Sequence, residues 1–286
     1  MKILITGATG FIGSHLVPLL LERKHIVAIF KRKVSGLNNL ETIKDSITVF
    51  DSDTYNDITS GIKKFEPDIV IHLATFYINK HNSGQIVNLL DSNIAFGTYI
   101  LEAMSENGIK NFINIGTYAQ HLGNKRYCPV NLYAATKEAF KDILIFYESK
   151  GIRHKTIELF DTYGNGDSRQ KIMKLLIEAC RNKSPLSLTL GEQFLDLSYI
   201  DDICNFIISH IEKRYFFDNK TIALSGKIIK LRDLGVMIEQ RFGVNGILRW
   251  GEKDYRENEM MEPPVYYRRV RLDQGALEMF IKGLTS

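Results

Sequence analysis

Three glycines near the start of the chain leave few architectures open. Gly7, Gly10 and Gly13 follow a strand-like apolar stretch at residues 2–6 and lead straight into a helical pattern at residues 11–23. The first two glycines permit a tight turn and a close approach of backbone to an anion, and the third lets the helix pack on the strand. The helix start then offers unpaired N–H groups and a positive dipole end. Gly7, Thr9, Gly10, Phe11, Ile12 and Gly13 are therefore read as a seat for the pyrophosphate of a dinucleotide. The competing reading is a tight turn without a ligand.

The rest of the chain repeats that strand-then-helix rhythm. Short apolar runs at 26–30, 47–50, 69–72 and 112–115 alternate with longer amphipathic patterns such as 86–107. Such interleaving means βαβ units, right-handed crossovers and a parallel sheet covered on both faces. Beyond residue 160 the rhythm loosens, with Gly164, Gly166, Pro185 and Gly191 separating shorter elements. The expected fold is α/β: a Rossmann-type, doubly wound parallel sheet over residues 1–160, to which a later element may return, and a smaller C-terminal substrate-binding lobe over 161–286.

Composition removes other classes. The 286 residues carry 37 Lys plus Arg against 33 Asp plus Glu, 44% are apolar and 24% charged, which is the balance of a globular enzyme and not of a disordered or collagenous chain. The net charge of +4 is spread without a basic run, so neither nucleic acid nor membrane is expected as a partner. Cys128, Cys180 and Cys204 are too scattered for a disulfide framework or a zinc site, and no metal is expected. No apolar run reaches the roughly 18 residues of a membrane span, and a strand that begins at residue 2 predicts no removable leader. The expected compartment is the cytoplasm.

The end of the second strand bears on the cofactor. An acidic residue there would bond both ribose hydroxyls and repel a 2′-phosphate, whereas Phe30 is followed by Lys31, Arg32 and Lys33. The expectation is NADPH rather than NAD, with Lys31 and Arg32 on the phosphate; the competing reading is a set of solvated loop charges. Asp51, just past the third strand, is placed to meet the adenine edge.

Tyr133 and Lys137 open a helical segment that runs to about residue 150. Four residues apart, they share one helix face, so a cation sits beside a phenol, favours the phenolate and brings its pKa down from about 10. Sixteen positions before Tyr133, Thr117 follows the strand at 112–115 and sets a hydroxyl at the carboxyl end of a central strand.

On these residues the chain resembles the extended short-chain dehydrogenase/reductase family of nucleotide-sugar epimerases, dehydratases and reductases. The resemblance also rests on His72-Leu73-Ala74-Thr75, Asn93 with Gly97-Thr98, Tyr163-Gly164 and Tyr199-Ile200-Asp201-Asp202. It implies that Thr117 orients the substrate, that Tyr133 is the general acid/base, and that Lys137 tunes the phenol and holds the nicotinamide ribose. It further implies that Leu73, Ala74 and Thr75 line the cofactor, with Asn93 supporting the site or making a structural hydrogen bond. His72 reads as a packed strand-end residue.

Departures narrow the reaction. Sugar 4,6-dehydratases of the family carry Asp-Glu after the catalytic hydroxyl residue and the epimerase-reductases a cysteine two positions beyond it, where this chain has Tyr118-Ala119. The resulting expectation is NADPH-dependent reduction of the C4 carbonyl of a nucleotide-linked 4-keto-(di)deoxy sugar for surface polysaccharide. Leu159 to Gly164, with Asp167-Ser168-Arg169 and Gly191-Glu192-Gln193, looks like the subgroup that contains CDP-abequose and CDP-paratose synthases. Tyr77, Thr117, Tyr118 and Asp161 are expected at the substrate. Leu195 stands where the family has an arginine on the diphosphate, so Arg169, Lys171 and Arg256 are the candidate replacements. The alternatives are a 4-epimerase that retains NAD and a non-catalytic dinucleotide sensor. The resemblance also implies a homodimer, built from helices beginning near residues 86 and 133.

Overall fold

The structure is a computed structural model that describes residues 1–265 and 268–285, the side chain at position 214 excepted. In chain order its first elements are β1 (Lys2–Thr6), α1 (Phe11–Glu22), β2 (Ile26–Lys31), β3 (Thr48–Asp51), α2 (Tyr55–Phe65), β4 (Ile69–His72), α3 (Ile86–Leu90), α4 (Phe96–Glu106), β5 (Asn111–Thr117), α5 (Leu132–Glu148) and β6 (Arg153–Leu159). There follow β7 (Asp161–Tyr163), α6 (Ile172–Asn182), β8 (Leu186–Leu188), β9 (Phe194–Tyr199), α7 (Ile200–Ile211), β10 (Lys220–Ser225), β11 (Lys227–Lys230), α8 (Leu231–Phe242), β12 (Leu248–Trp250), β13 (Arg269–Arg271) and α9 (Ala276–Gly283).

These elements form two compact units. The first comprises Met1–Gln120, Asn131–Glu158 and Cys204–Ile222. Its strands run in the order β10-β6-β5-β4-β1-β2-β3, and β1 pairs in parallel with β2 and β4, β2 with β3, and β4 with β5. The order 3-2-1-4-5-6 is that of a Rossmann sheet, whose strand order reverses between β1 and β4 and opens a crevice at their carboxyl ends. Helices cover both faces, so the central strands are apolar throughout: Ile3, Leu4 and Ile5 are fully buried, as are Ile69, Val70 and Ile71. Leu4, Val70, Phe112, Leu101, Phe140 and Leu144 lie in one core cluster under α2, α4 and α5.

Local chemistry fixes the element ends. Thr54 caps α2 by accepting from Asp57 N at 3.1 Å, while the Asp57 carboxylate accepts from Thr54 N at 3.0 Å. Between α3 and α4 lies a π-helical turn, Asp91–Ala95, so one long helical stretch is wound wider at its middle.

The second unit comprises His121–Val130, Leu159–Ile203 and Ala223–Ser286. It holds a three-stranded sheet, β11-β9-β7, a parallel pair, β12 with β8, and its own core around Leu176, Leu197, Leu234, Leu248 and Leu277. The last three residues of β10 belong to it and pair in parallel with β13. Among the described residues no helix is long and apolar enough to cross a membrane, and no group of three or more His, Cys, Asp or Glu side chains could hold a metal ion.

Candidate active site

The glycine turn joins β1 to α1 at the reversal of strand order. Gly7 has a positive φ of 65°, and its carbonyl accepts from Gly10 N at 3.0 Å to close the turn. A Cβ on Gly7 would stand 2.6 Å from Ala74 N, and one on Gly13 would stand 2.5 Å from the Cα of Ala8. The turn therefore lies directly on the loop after β4, at a separation no side chain permits. Gly10 begins α1 with no side-chain cap and no acidic residue in the first turn, which leaves the opening N–H groups for an anion. The Thr6 hydroxyl accepts from Ala74 N at 3.2 Å and shares a 2.9 Å hydrogen bond with His72 Nδ1, so the loop holding Leu73, Ala74 and Thr75 is pinned to β1. These features fit the pyrophosphate of a dinucleotide: an uncapped helix start, a backbone cradle and no acidic residue in the first turn of the helix.

At the end of β2, Lys31 pairs in register with Asp51 of β3. The Lys31 ammonium turns back onto the carbonyls of Arg32 at 3.1 Å and Lys33 at 3.5 Å, and Lys33 N donates to the Asp53 carboxylate at 2.9 Å. The run of three cations thus has an acidic neighbour that arrives from β3.

Thr117 is the last residue of β5, 8% exposed. Its hydroxyl oxygen accepts from Ala119 N at 3.3 Å, which directs the hydroxyl proton away from the backbone as a donor. Tyr118, half-buried, begins the 3₁₀ turn that follows. Helix α5 is capped by Asn131, whose side-chain oxygen accepts from Ala134 N at 2.9 Å. One residue into it, Tyr133 is 9% exposed and meets the exposed Tyr77 edge to face, ring centroids 5.0 Å apart. One helical turn further, Lys137 is 2% exposed, and burial alone lowers its pKa from 10.5 to about 8. A desolvated ammonium of this kind favours a neighbouring phenolate or ribose hydroxyl.

Two buried polar residues brace this arrangement. Asn93, in the π-helical turn, accepts from Thr75 Oγ1 at 3.0 Å and Phe76 N at 2.7 Å, and donates to the Phe76 carbonyl at 3.1 Å and Thr136 Oγ1 at 3.0 Å. Thr136 donates in turn to the Tyr133 carbonyl at 2.7 Å, so Asn93 links the loop after β4 to the helix of Tyr133 and Lys137. His72 lies among Phe96, Phe112 and Phe140, and its pKa falls to about 3, through burial first and the Lys137 charge second. It is neutral, and among the described residues its Nε2 has no hydrogen-bond partner.

All the expected cofactor and catalytic residues, with Tyr77 and Tyr118, lie in the first unit; Asp161, Arg169, Lys171 and Arg256 lie in the second. There Arg169 donates from Nε to one Asp167 oxygen and from Nη2 to the other, both at 2.7 Å, and from Nη2 to Thr162 Oγ1 at 2.9 Å. Arg256 makes a two-pronged pair with Glu259 at 2.8 and 2.9 Å. Lys171 precedes α6, and burial holds its pKa below the ordinary lysine value despite the nearby carboxylates of Asp161 and Asp167. Leu195 occupies β9 opposite Ile229. Asp196, next to it, accepts from Ser225 Oγ and Gly226 N, both at 2.7 Å, and pairs with Arg269 at 3.6 Å. Gln120, Glu138, Thr136 and Asp53 were not anticipated. Their residue types are visible in the sequence, but the partners they meet, Thr117 for Gln120, Asn93 for Thr136 and Lys33 for Asp53, are not.

Residues 3–222 match the NAD dependent epimerase/dehydratase family. The chain is 29% identical to CDP-abequose synthase of Yersinia pseudotuberculosis over 98% of each protein, and 25% identical to that of Salmonella muenchen over 91% of this chain and 87% of the other. In fold it is similar to UDP-glucose 4-epimerase of Thermus thermophilus in complex with NAD, with a TM-score of 0.81 at 19% identity over 100% of this chain and 99% of that one. With a glycine turn on an uncapped helix and a tyrosine and buried lysine one turn apart, the chain belongs to the NAD dependent epimerase/dehydratase family.

Proposed function

We propose that the protein reduces the C4 carbonyl of a nucleotide-linked 4-keto-(di)deoxy sugar with NADPH, in the assembly of surface polysaccharide. The observation that carries this reading is the Tyr133–Lys137 pair on α5, with Lys137 buried and its pKa lowered to about 8, in a chain that also keeps an alcohol at the end of β5. Bound NADPH would supply the hydride to the carbonyl carbon. The phenol of Tyr133 gives its proton to the carbonyl oxygen, so that the ketone becomes an alcohol, and the Thr117 hydroxyl donates a hydrogen bond to that oxygen as negative charge builds on it. The Lys137 ammonium stabilises the phenolate left behind. Gly7, Gly10 and the start of α1 hold the pyrophosphate, with Lys31 and Arg32 assigned to the 2′-phosphate and Asp51 to the adenine.

The substrate class is supported by the named CDP-abequose synthases, similar over nearly the whole chain. Asp161, Arg169, Lys171 and Arg256 are assigned to the sugar nucleotide. The test is direct. Protein that releases no NAD on denaturation should oxidise NADPH when given one of a panel of CDP-, GDP-, UDP- and dTDP-linked keto-sugars, and Tyr133→Phe should abolish this while leaving NADPH affinity within about twofold. Stoichiometric NAD in the denatured protein would instead favour a 4-epimerase, a reading supported by the Asp53 carboxylate beside the end of β2.

A further inference from the structure

Beyond Thr117 the chain leaves the sheet in a 3₁₀ turn, Tyr118–Gln120, and the Thr117 N–H donates to a side chain. That side chain is Gln120, fully buried, whose Oε1 accepts from Thr117 N at 3.1 Å. Its other end donates from Nε2 to the Glu138 carboxylate on α5. The amide is thus oriented without ambiguity, since an N–H must meet its oxygen and a carboxylate its nitrogen.

The chain of contacts continues. Glu138 pairs with Lys141 one turn further along α5 at 3.0 Å, and Lys141 reaches Glu158 of β6 at 3.4 Å. The Glu158 side chain is 1% exposed, and its Cγ would stand 2.7 Å from a Cβ on Gly116, so it lies against the backbone just before Thr117. Glu138 immediately follows Lys137. One amide therefore ties the alcohol's strand end to the helix of the phenol and the ammonium, and one lysine ties that helix to the neighbouring strand.

We propose that Gln120 is a positioning residue, which sets the Thr117 alcohol against the helix of Tyr133 and Lys137 through its paired bonds to Thr117 N and Glu138. The inference rests on the role proposed for Thr117. An apolar residue at position 120 would leave the Thr117 N–H and a Glu138 oxygen without these bonds, and the end of β5 would be free to shift. A displacement of about 1 Å at such a group costs on the order of 100-fold in rate.

The test compares Gln120→Met, which keeps the length of the side chain and removes its polar atoms, with Glu138→Gln, which keeps an acceptor, and Glu138→Leu, which does not. Gln120→Met and Glu138→Leu should each lower kcat about 10- to 100-fold with NADPH affinity within about twofold. Glu138→Gln should stay near wild type, and the Gln120→Met/Glu138→Leu double variant should be little worse than either single one. Hydrogen exchange at the Thr117 amide should quicken in Gln120→Met and not in Glu138→Gln. If Gln120→Met keeps kcat within twofold, or if kcat, cofactor affinity and thermal stability fall together, the positioning role is overturned. Wild-type protein inactive on every keto-sugar would defeat the proposed function alone; the exchange of the Thr117 amide would then decide the inference, for or against.

Discussion

Lys137 is costly to keep in place. Its ammonium is buried, and its pKa of about 8 against an ordinary 10.5 means that the folded state binds the proton less tightly than the unfolded state does. Between those values the unfolded chain carries more protons, so stability from this group rises with pH from about 8 towards 10.5, and the full cost is present below about 8. That difference corresponds to a burden of about 3 kcal/mol at neutral pH. Lys137→Met should therefore abolish turnover and raise the unfolding free energy of the cofactor-free protein at pH 7 by up to about 3 kcal/mol, with the gain shrinking above pH 8. Urea denaturation at pH 7 and pH 10 measures this; an equal or lower stability at pH 7 would contradict the cost assigned to burial. The spacing of Tyr133 and Lys137 is legible in sequence because a helix repeats every 3.6 residues. The depth to which Lys137 is buried is not, since it depends on α4, α5 and the sheet closing around it. Gln120 is hidden for the same reason: nothing in Thr117-Tyr118-Ala119-Gln120 distinguishes an amide that braces a strand end from one that faces water.

At the scale of elements, the stretch from residue 86 to 107 carries one continuous amphipathic pattern, and the structure divides it into α3, a π-helical turn and α4. A π turn keeps the apolar spacing within each flank and shifts only the phase between them by one residue, and a flank as short as the five residues of α3 is too brief to reveal that shift. Such turns recur at functional sites, and here the turn holds Asn93, whose amide makes four hydrogen bonds to Thr75, Phe76 and Thr136. Asn93→Ala should lower stability by about 2–4 kcal/mol, because Phe76 N and Thr136 lose partners in a part-buried setting. It should also weaken cofactor binding, because the loop after β4 loses its tie to α5. Urea midpoints and NADPH titration report the two effects; a stability loss under 1 kcal/mol would mean that water replaces the amide readily. The strands were plainer. Residues 2–6 and 69–72 are read in full from their apolar runs, and β2 to within one residue, because strands buried on both faces need no polar alternation.

At the scale of the molecule, the two units draw on segments that alternate along the chain, with α7 and β10 each contributing to both. No change of composition marks such crossings, because a strand joining a sheet late in the sequence has the same apolar character as one joining it early. The surface of the first unit raises a second question of assembly. Val87 and Leu90 on α3, Tyr99 on α4, and Ile145 and Phe146 on α5 are all at least 43% exposed, while the same helices bury Leu89, Ile100, Leu101, Phe140 and Leu144 in the core. Helices that satisfy the core on one side and remain apolar on the other suit a second copy of the chain, and a stable interface of this kind needs about 1,200–2,000 Å² in total. We propose a homodimer through these helices. Light scattering should then give twice the chain mass of 32.7 kDa, and Ile145→Asp/Phe146→Asp should return it to the single mass with the melting transition still cooperative. Because Ile145 lies two turns beyond Lys137 on α5, the separated chains should keep NADPH affinity and lose part of kcat, through a looser far end of the helix. A wild-type chain that remains at its single mass at tens of micromolar would remove the dimer and leave the exposed side chains as ordinary surface.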